Sequence, residues 1–297
     1  MYIYISCSFI LFAPFFLFIS MATTSKLGVL YYLTSHPTIT TFRWSPAQAW
    51  GSTWSFLFQS IALYIILSMA THRLVSRRMR TIPMRNISAI HNLVISVSSL
   101  IIFSGIILSS ATEIRENRWL FGRRMMATTP AQWLICFPPG IRPSGRVFFW
   151  SYAFYLYRFL HMLRTPITIL SKGELPVFQL VNNSFLLFMA FLWLEFSQSV
   201  QVVAILMSSA VNAVSYGYRF RCLMGMREVC FSVVFGCRAA VLAGNVACHF
   251  AVIGLHLSRA AGCNGIGAWA INSFLNGSIL VMLLDFYKGI WRERRSL

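Results

Sequence analysis

The chain has 297 residues, of which 57% are hydrophobic and only 11% are charged, and its mean hydropathy is +0.67. These values exclude a disordered chain, a fibrous repeat and nearly every ordinary soluble domain. Lys and Arg total 25 against 7 Asp and Glu, a formal net charge of +18. In a chain this apolar, the surplus favours contact with anionic headgroups or phosphorylated ligands over nucleic acid, for which the sequence carries no binding signature. The 7 Cys have no CxxC spacing and no Cys/His grouping, so no metal site is indicated.

The first segment, residues 1–20, is aromatic and aliphatic. It has no basic residue before it and no small-residue cleavage motif, which fits a secretory signal poorly. Two interpretations remain open: the true start is Met21, or the segment is an additional membrane-inserted stretch. Residues 21–297 are predicted to form a single membrane domain.

Hydropathy predicts seven transmembrane helices in this domain, because a bilayer core of about 30 Å needs roughly 20 apolar residues per helix. The connections are short except for residues 111–146, a proline-containing stretch that we expect to be a structured loop. We therefore expect an all-α membrane protein with seven transmembrane helices that enclose a polar pocket. The predicted spans lie near residues 53–70, 88–110, 147–170, 175–194, 199–218, 232–256 and 266–289.

The loops after spans one, three, five and seven carry more Lys and Arg than the opposite loops. The positive-inside rule then predicts a cytosolic C-terminus and places Cys136 and Cys263 together on the non-cytosolic side. We expect a disulfide between them, because thiols within reach of each other tend to oxidise in such a compartment. Two unrelated loop cysteines are the alternative.

Several spans carry polar side chains at bilayer depth, where such groups are costly and usually face a cavity or each other. A rise of about 1.5 Å per residue puts Asn182, Asn212 and Arg238 about 9–11 Å from the cytosolic surface, and His161 at about 14 Å. Four predicted spans therefore place polar side chains at a similar depth below the cytosolic surface. This pattern predicts a site that opens to the cytosol. Buried Arg158 and Arg238 require partners or water, and in a wet cavity they would suit an anionic ligand. For a single Asn, the alternative is a hydrogen bond that only joins two helices.

From about Met21 to the C-terminus, the sequence resembles the ELO family of fatty-acid elongases, in particular a divergent plant-type branch. The motifs that carry the resemblance are Arg43-Trp44-Ser45-Pro46, Arg158 to Thr165, Phe178 to Ser184, Tyr216-Gly217-Tyr218 and Gly262-Cys263-Asn264-Gly265.

The resemblance implies a seven-helix enzyme of the endoplasmic reticulum membrane that condenses a long-chain acyl-CoA with malonyl-CoA. The products would be a 3-oxoacyl-CoA, carbon dioxide and CoA, and the acyl chain would lie in a tunnel that opens to the cytosol. No cofactor is implied beyond the two substrates, acyl-CoA and malonyl-CoA. Partners would be the lipid bilayer and, as further candidates, the other enzymes of the elongation cycle and a second copy of the chain.

The sequence departs from the family at its histidine box, HxxHH, which reads Gln179-Leu180-Val181-Asn182-Asn183 here. Because Asn and Gln cannot shuttle a proton at neutral pH, the candidate base is His161. The amides Gln179, Asn182, Asn183 and Asn212 would orient substrate and stabilise charge through hydrogen bonds. Substrate binding would fall to Arg158, Arg164, Thr165, Tyr216, Tyr218 and Arg238.

Three other functions remain open. A catalytically inactive relative that binds acyl-CoA or serves as a scaffold is favoured by the missing histidines. A seven-span receptor is disfavoured because the chain has no DRY-like triplet or NPxxY motif. A small transporter is disfavoured by the lack of an internal repeat and of intramembrane carboxylates.

Overall fold

The structure is a computed structural model, and it describes residues 26–78, 82–116, 130–226, 231–258 and 262–295. Within these ranges the chain is helical and contains no strand, which confirms the predicted all-α class. An isolated antiparallel bridge joins Arg43 to Ser144. The segment 1–20 and the alternative start at Met21 lie outside the described residues, so both interpretations of the N-terminus stay open.

Each of the seven spans predicted from hydropathy lies largely within helical residues of the structure. The helices of the described residues are α1 (Lys26–Thr34), α2 (Pro37–Thr40), α3 (Trp54–Arg78), α4 (Arg85–Glu116), α5 (Pro130–Ile135), α6 (Arg146–Met162), α7 (Arg164–Lys172), α8 (Val177–Glu195), α9 (Gln201–Leu223), α10 (Phe231–Ser258) and α11 (Ile266–Arg295).

Four helical segments of the described chain are long and apolar enough to cross a membrane. They are Trp54–Arg77, Arg85–Glu116, Val177–Glu195 and Ala240–Ser258, and a shorter apolar stretch covers Ile266–Met282. A bilayer core of about 30 Å requires helices of this length. The chain is accordingly a multi-pass membrane protein, while the count of seven spans stays a prediction.

The predicted third span, 147–170, is not one continuous helix. α6 ends at Met162, a turn follows at Leu163, and α7 begins at Arg164. Pro166 explains the break, because proline has no N–H to donate to the carbonyl of Met162 four residues earlier. The break leaves α7 as a separate short helix.

The interior of the bundle lies between α4, α6, α8 and α9. α9 packs along α4, and α6 contacts both α4 and α8. Each of these four helices contributes a fully buried side chain, namely Ile95, Phe154, Leu187 and Ile205. Because protein interiors are close-packed, these contacts fix the positions of the helices that carry the polar side chains described below.

One end of the bundle, the disulfide end, is formed by residues 136–145, 196–200 and 262–265. A disulfide joins Cys136 to Cys263, whose Cα atoms are 5.2 Å apart. Beside it, the Asn264 N–H donates to the carbonyl of Phe137 at 2.8 Å, and the Ser199 hydroxyl donates to the carbonyl of Asn264 at 2.8 Å. These bonds connect the loops that follow α5, α8 and α10. The opposite end, where α7 ends and α8 begins, is the basic end.

Candidate functional site

His161 lies near the C-terminus of α6, and only 5% of it is exposed. Its Nδ1 is 3.1 Å from the hydroxyl of Tyr216 on α9. Its Nε2 is buried and has no hydrogen-bond partner in the part of the chain that the structure describes. Since a buried nitrogen without a partner is costly, Nε2 marks a position where a ligand atom would restore a hydrogen bond.

Positive charge surrounds the hydroxyl and ring of Tyr216. Arg164 donates from Nη1 to the Tyr216 hydroxyl at 3.3 Å. The guanidinium carbons of Arg164 and Arg219 lie 5.5 Å and 5.4 Å from the centroid of the Tyr216 ring. Both separations are typical of cation–π contacts, so Tyr216 holds two cations close to the imidazole.

A second group of polar side chains joins α3, α7 and α8. The hydroxyls of Tyr64 and Thr165 are 2.6 Å apart. Asn183 donates from Nδ2 to the Tyr64 hydroxyl at 3.1 Å, and Gln179 donates from Nε2 to the Thr165 hydroxyl at 3.1 Å. Asn183 also donates to the carbonyl of His161 at 3.4 Å, which links this group to the imidazole. Thr165 and Asn183 are buried, so these bonds replace water that the groups have lost.

Two residues that the sequence analysis did not single out complete the surroundings of His161. The Tyr157 ring meets the imidazole edge to face at 4.5 Å between centroids, and its hydroxyl bonds to Ser99 at 2.5 Å and to Asn212. His91 of α4 places Nε2 2.9 Å from the carbonyl of Leu160. Tyr157, His91 and Tyr64 could have been found in the sequence, because each is a lone polar group inside an apolar segment. Such a group needs a buried hydrogen-bond partner.

Arg158 is the buried cation of the site. Only 5% of it is exposed, and its guanidinium carbon lies 4.4 Å from the centroid of the Phe154 ring. Its Nε has no hydrogen-bond partner among the described residues, where the salt bridges are those of Arg146 with Glu113 and Glu116. A buried cation without a counter-ion favours an anionic ligand nearby.

Two predicted site residues, Asn182 and Tyr218, lie apart from these contacts, and a third is not described. Asn182 is half-buried, and no hydrogen bond of its side chain occurs among the described residues. Tyr218 is half-buried and interacts with Cys222 one turn further along α9. The side chain of Arg238 lies outside the described residues. The structure therefore brings together these predicted residues: Arg158, His161, Arg164, Thr165, Gln179, Asn183, Asn212 and Tyr216.

No group of three or more His, Cys, Asp or Glu side chains that could hold a metal ion occurs within the described ranges. The polar groups of the site instead come from amides, hydroxyls, guanidinium groups and one buried imidazole. Such a set can bind an anion and donate hydrogen bonds to oxygen, but it offers a single proton-transfer group at the centre.

A separate cavity of about 50 Å³ lies between α8, α9, α10 and α11, on the side of the site towards the disulfide end. Leu186 of α8 and Ser208 of α9 line it. They lie three residues from Asn183 and four from Asn212, so about one helical turn separates the cavity from the site. None of the predicted site residues lines the cavity itself.

Comparison with known proteins places this arrangement in a family. The family model described as "ELO: GNS1/SUR4 family" matches residues 49–296. An Arabidopsis thaliana protein named "Fatty acid elongase 3-like" is 52% identical over 271 residues, which cover 90% of this chain and 93% of that protein. The Dictyostelium discoideum protein "Fatty acid elongase sre1" is 21% identical over 185 residues, which cover 62% of this chain and 64% of that protein. No solved structure matches.

Proposed function

The chain belongs to the ELO (GNS1/SUR4) family of fatty-acid elongases, and on that basis we propose that it is an acyltransferase, a very-long-chain 3-oxoacyl-CoA synthase. It joins a long-chain acyl-CoA to malonyl-CoA. The new carbon–carbon bond connects the acyl carbonyl carbon to the malonyl methylene carbon. Carbon dioxide leaves from the malonyl group, CoA leaves from the acyl group, and one proton is taken up by the departing thiolate.

The observation that carries this proposal is the buried imidazole of His161, held at one nitrogen and without a partner at the other. Arginine can only donate, so the Tyr216 oxygen accepts from Arg164. The single hydrogen of the Tyr216 hydroxyl is then available to His161 Nδ1. The reverse assignment leaves that hydrogen without an acceptor among the described residues. The hydrogen bonds thus favour an imidazole that carries its proton on Nε2.

This tautomer changes the role that the sequence suggested for His161. The sequence pattern suggested a base, whereas the Nε2–H group of a neutral imidazole is a hydrogen-bond donor. We propose that it donates a hydrogen bond to the thioester oxygen while charge develops there, and that the CoA thiolate takes its proton from solvent. Preorganised donors of this kind stabilise developing oxyanions far better than water does.

The cations of the site serve the anionic partners of the reaction. Loss of carbon dioxide from malonyl-CoA leaves an enolate, and Arg158 is a buried cation that can stabilise it. Arg164 and Arg219, held on the Tyr216 ring, extend the positive charge towards the basic end. The phosphate groups of CoA favour guanidinium partners, which bind them through paired N–H groups.

The amides hold the site together and orient the substrate. Gln179 and Asn183 each donate one N–H hydrogen bond to a hydroxyl of the Tyr64–Thr165 pair. Asn183 also donates to the carbonyl of His161, which leaves the two amide oxygens and the second N–H of Gln179 to position the two thioesters. Asn182, Asn212, Tyr218 and Arg238 are proposed to contact the substrates directly, as the family pattern suggests. The acyl chain would occupy a tunnel that begins here and runs towards the disulfide end.

We further propose an endoplasmic reticulum location with a cytosolic C-terminus, which would put the basic end in the cytosol, where CoA esters are supplied. That end holds Lys172 in the last turn of α7 and Arg221 in the last turn of α9. The disulfide end would then face the lumen, and a disulfide at Cys136 and Cys263 suits that oxidising compartment.

The test uses microsomes that contain the full chain, with labelled malonyl-CoA and acyl-CoA primers of graded length. Extended 3-oxo products are expected with the unchanged protein. His161→Ala should reduce their formation by about 10²-fold or more, since a single hydrogen-bond donor to a developing oxyanion contributes roughly that factor. The matched control is His36→Ala, a histidine that caps α2 away from the site. Retention of full activity in His161→Ala would overturn the assigned role.

The rival function is an inactive relative that binds acyl-CoA or serves as a scaffold for the other elongation enzymes. It is favoured by the direct bonds of Asn183 and Gln179 to protein hydroxyls, because amides used in this way can serve to stabilise the helix packing alone. The same microsomes decide between the two. Binding of acyl-CoA without any product, with every primer length, would favour the rival.

A further inference from the structure

The cavity between α8, α9, α10 and α11 is lined by both apolar and polar side chains. Its walls include apolar side chains such as Leu186 and Met207, and also Ser208, Asn245 and Asn276. A volume of about 50 Å³ accommodates a few water molecules or a short piece of a lipid chain. An apolar chain alone would leave the polar wall without partners.

Three residues of the wall carry a buried polar atom that has no hydrogen-bond partner among the described residues. These atoms are Nε2 of His249, Nε1 of Trp269 and Oδ1 of Asn272. Asn272 is 1% exposed, and its Nδ2 is already used in a bond to Gln198 Oε1. Native interiors usually pair such atoms with protein groups, ordered water or a ligand, so three of them at one cavity leave hydrogen-bonding capacity for a polar occupant.

The hydrogen bonds of the wall determine which of the three atoms donate. The hydroxyl of Ser273 donates to the carbonyl of Trp269 at 2.8 Å, so its oxygen accepts from His249 Nδ1 at 3.0 Å. With its proton on Nδ1, His249 presents a lone pair at Nε2. The residues of the cavity wall therefore carry two buried acceptors without a partner, His249 Nε2 and Asn272 Oδ1, and one such donor, Trp269 N–H.

We propose that this cavity binds a hydroxyl group carried on the acyl chain of the substrate, and that the enzyme prefers hydroxylated acyl-CoA to unsubstituted acyl-CoA. The inference rests on the proposed elongase function. A hydroxyl donates one hydrogen and accepts on its oxygen, so it pairs with an acceptor of the wall and with Trp269 N–H. The apolar side chains on α8 and α9 contact the neighbouring methylene groups.

The position of the cavity fits a chain that starts at the catalytic site. One turn of helix separates Asn183 from Leu186 on α8 and Asn212 from Ser208 on α9, which is about 5–6 Å. An acyl chain that leaves His161 away from the basic end meets the cavity next. A site built to bond a hydroxyl also rejects the chain that lacks it, because its buried polar groups then stay unpaired.

The experiment compares acyl-CoA primers of one length in microsomes that contain the full chain. One primer is unsubstituted, and the others carry a single hydroxyl at successive carbons from the middle of the chain to its end. For at least one position, kcat/KM is expected to exceed that of the unsubstituted primer by roughly tenfold or more. Equal use of all primers, as expected for a cavity filled only by ordered water, overturns the inference and leaves the elongase function standing. No extension of any primer overturns both.

Two variants assign the preference to the cavity. Trp269→Phe removes the indole N–H and keeps a smaller aromatic ring, and Asn272→Leu removes the amide. Each should reduce the ratio of kcat/KM for the hydroxylated primer to kcat/KM for the unsubstituted primer towards one. Ser278→Ala on the same helix is the control, because Ser278 does not line the cavity and bonds only to the carbonyl of Phe274 within its own helix. A ratio that survives in Trp269→Phe and in a correctly folded Asn272→Leu protein contradicts the inference.

Discussion

The hydroxyl groups of Tyr64 and Thr165 lie 2.6 Å apart, although the two residues are 101 positions apart in the chain. Thr165 is fully buried, and Asn183 and Gln179 each bond to one member of the pair. The pair therefore connects α3, α7 and α8 at the level of His161. Because buried hydroxyls that lose a partner are costly, this contact couples the stability of the bundle to the geometry of the site.

Tyr64→Phe removes the hydroxyl at the centre of this group and leaves Thr165 and Asn183 each short of one partner. We expect a loss of about 1–3 kcal/mol in the free energy of unfolding, which is the usual cost of leaving a buried polar group unpaired. Elongation should fall as well, since Asn183 also contacts the carbonyl of His161.

The measurement is thermal unfolding of the purified protein in detergent, together with product formation in microsomes. Tyr32→Phe is the control, because that ring is 66% exposed. An unchanged melting temperature in Tyr64→Phe would contradict the coupling.

The proposed proton position on His161 depends on the Tyr216 hydroxyl. Tyr216→Phe keeps the ring that Arg164 and Arg219 contact and removes the hydroxyl that bonds to His161 Nδ1 and accepts from Arg164. We expect kcat to fall by about tenfold to a hundredfold with little change in the KM for acyl-CoA, because an interaction that sets a catalytic group acts in the transition state. A matched Tyr31→Phe variant should behave like the unchanged protein. A rise in KM with unchanged kcat would identify Tyr216 as a binding residue instead.

The sequence predicted the positions of the helices well, because long apolar segments have few alternatives in a membrane. It missed the break at Leu163, since the hydropathy of residues 147–170 outweighs the single Pro166 in any window average. The break matters for the site. It creates α7, from which Thr165 reaches Tyr64 and Arg164 reaches Tyr216.

The site predicted from helix depth stays a prediction, and the contacts distinguish between side chains that depth alone treats as equal. Asn182 and Asn183 are adjacent, so they point about 100° apart on a helix, and only Asn183 makes a bond in the network. Depth alone cannot distinguish the two. The sequence did not single out Tyr64, Tyr157 and His91, which each bond to a polar group on another helix. Which side chains meet across two helices depends on the rotation and packing of those helices, and one sequence does not reveal either.

The disulfide between Cys136 and Cys263 closes a separation of 127 residues, and hydrogen bonds of Asn264 with Phe137 and Ser199 surround it. Replacing both cysteines by serine should lower the melting temperature. A cross-link of this span is worth about 4–5 kcal/mol in the chain-entropy treatment. The control is Cys222→Ser, since Cys222 is exposed and free.

Electrophoresis with and without reductant gives a second measurement for the same variants. The unchanged protein and Cys222→Ser should shift in mobility on reduction, whereas the double serine variant should not. Loss of the shift in Cys222→Ser would show that the pairing is different.

Arg158 is a buried cation for which no carboxylate partner occurs in the described parts of the chain, and it contacts the Phe154 ring. Arg158→Met keeps most of the volume and removes the charge. An uncompensated buried charge destabilises a fold. We therefore expect the melting temperature of the Arg158→Met variant to be equal to or higher than that of the unchanged protein. Elongation should nevertheless fall by at least about tenfold, since the enolate loses its cation. Arg73→Met, at an exposed position on α3, should change neither quantity. A variant that melts at a lower temperature and keeps its activity would mean that Arg158 serves the packing of α6 rather than the reaction.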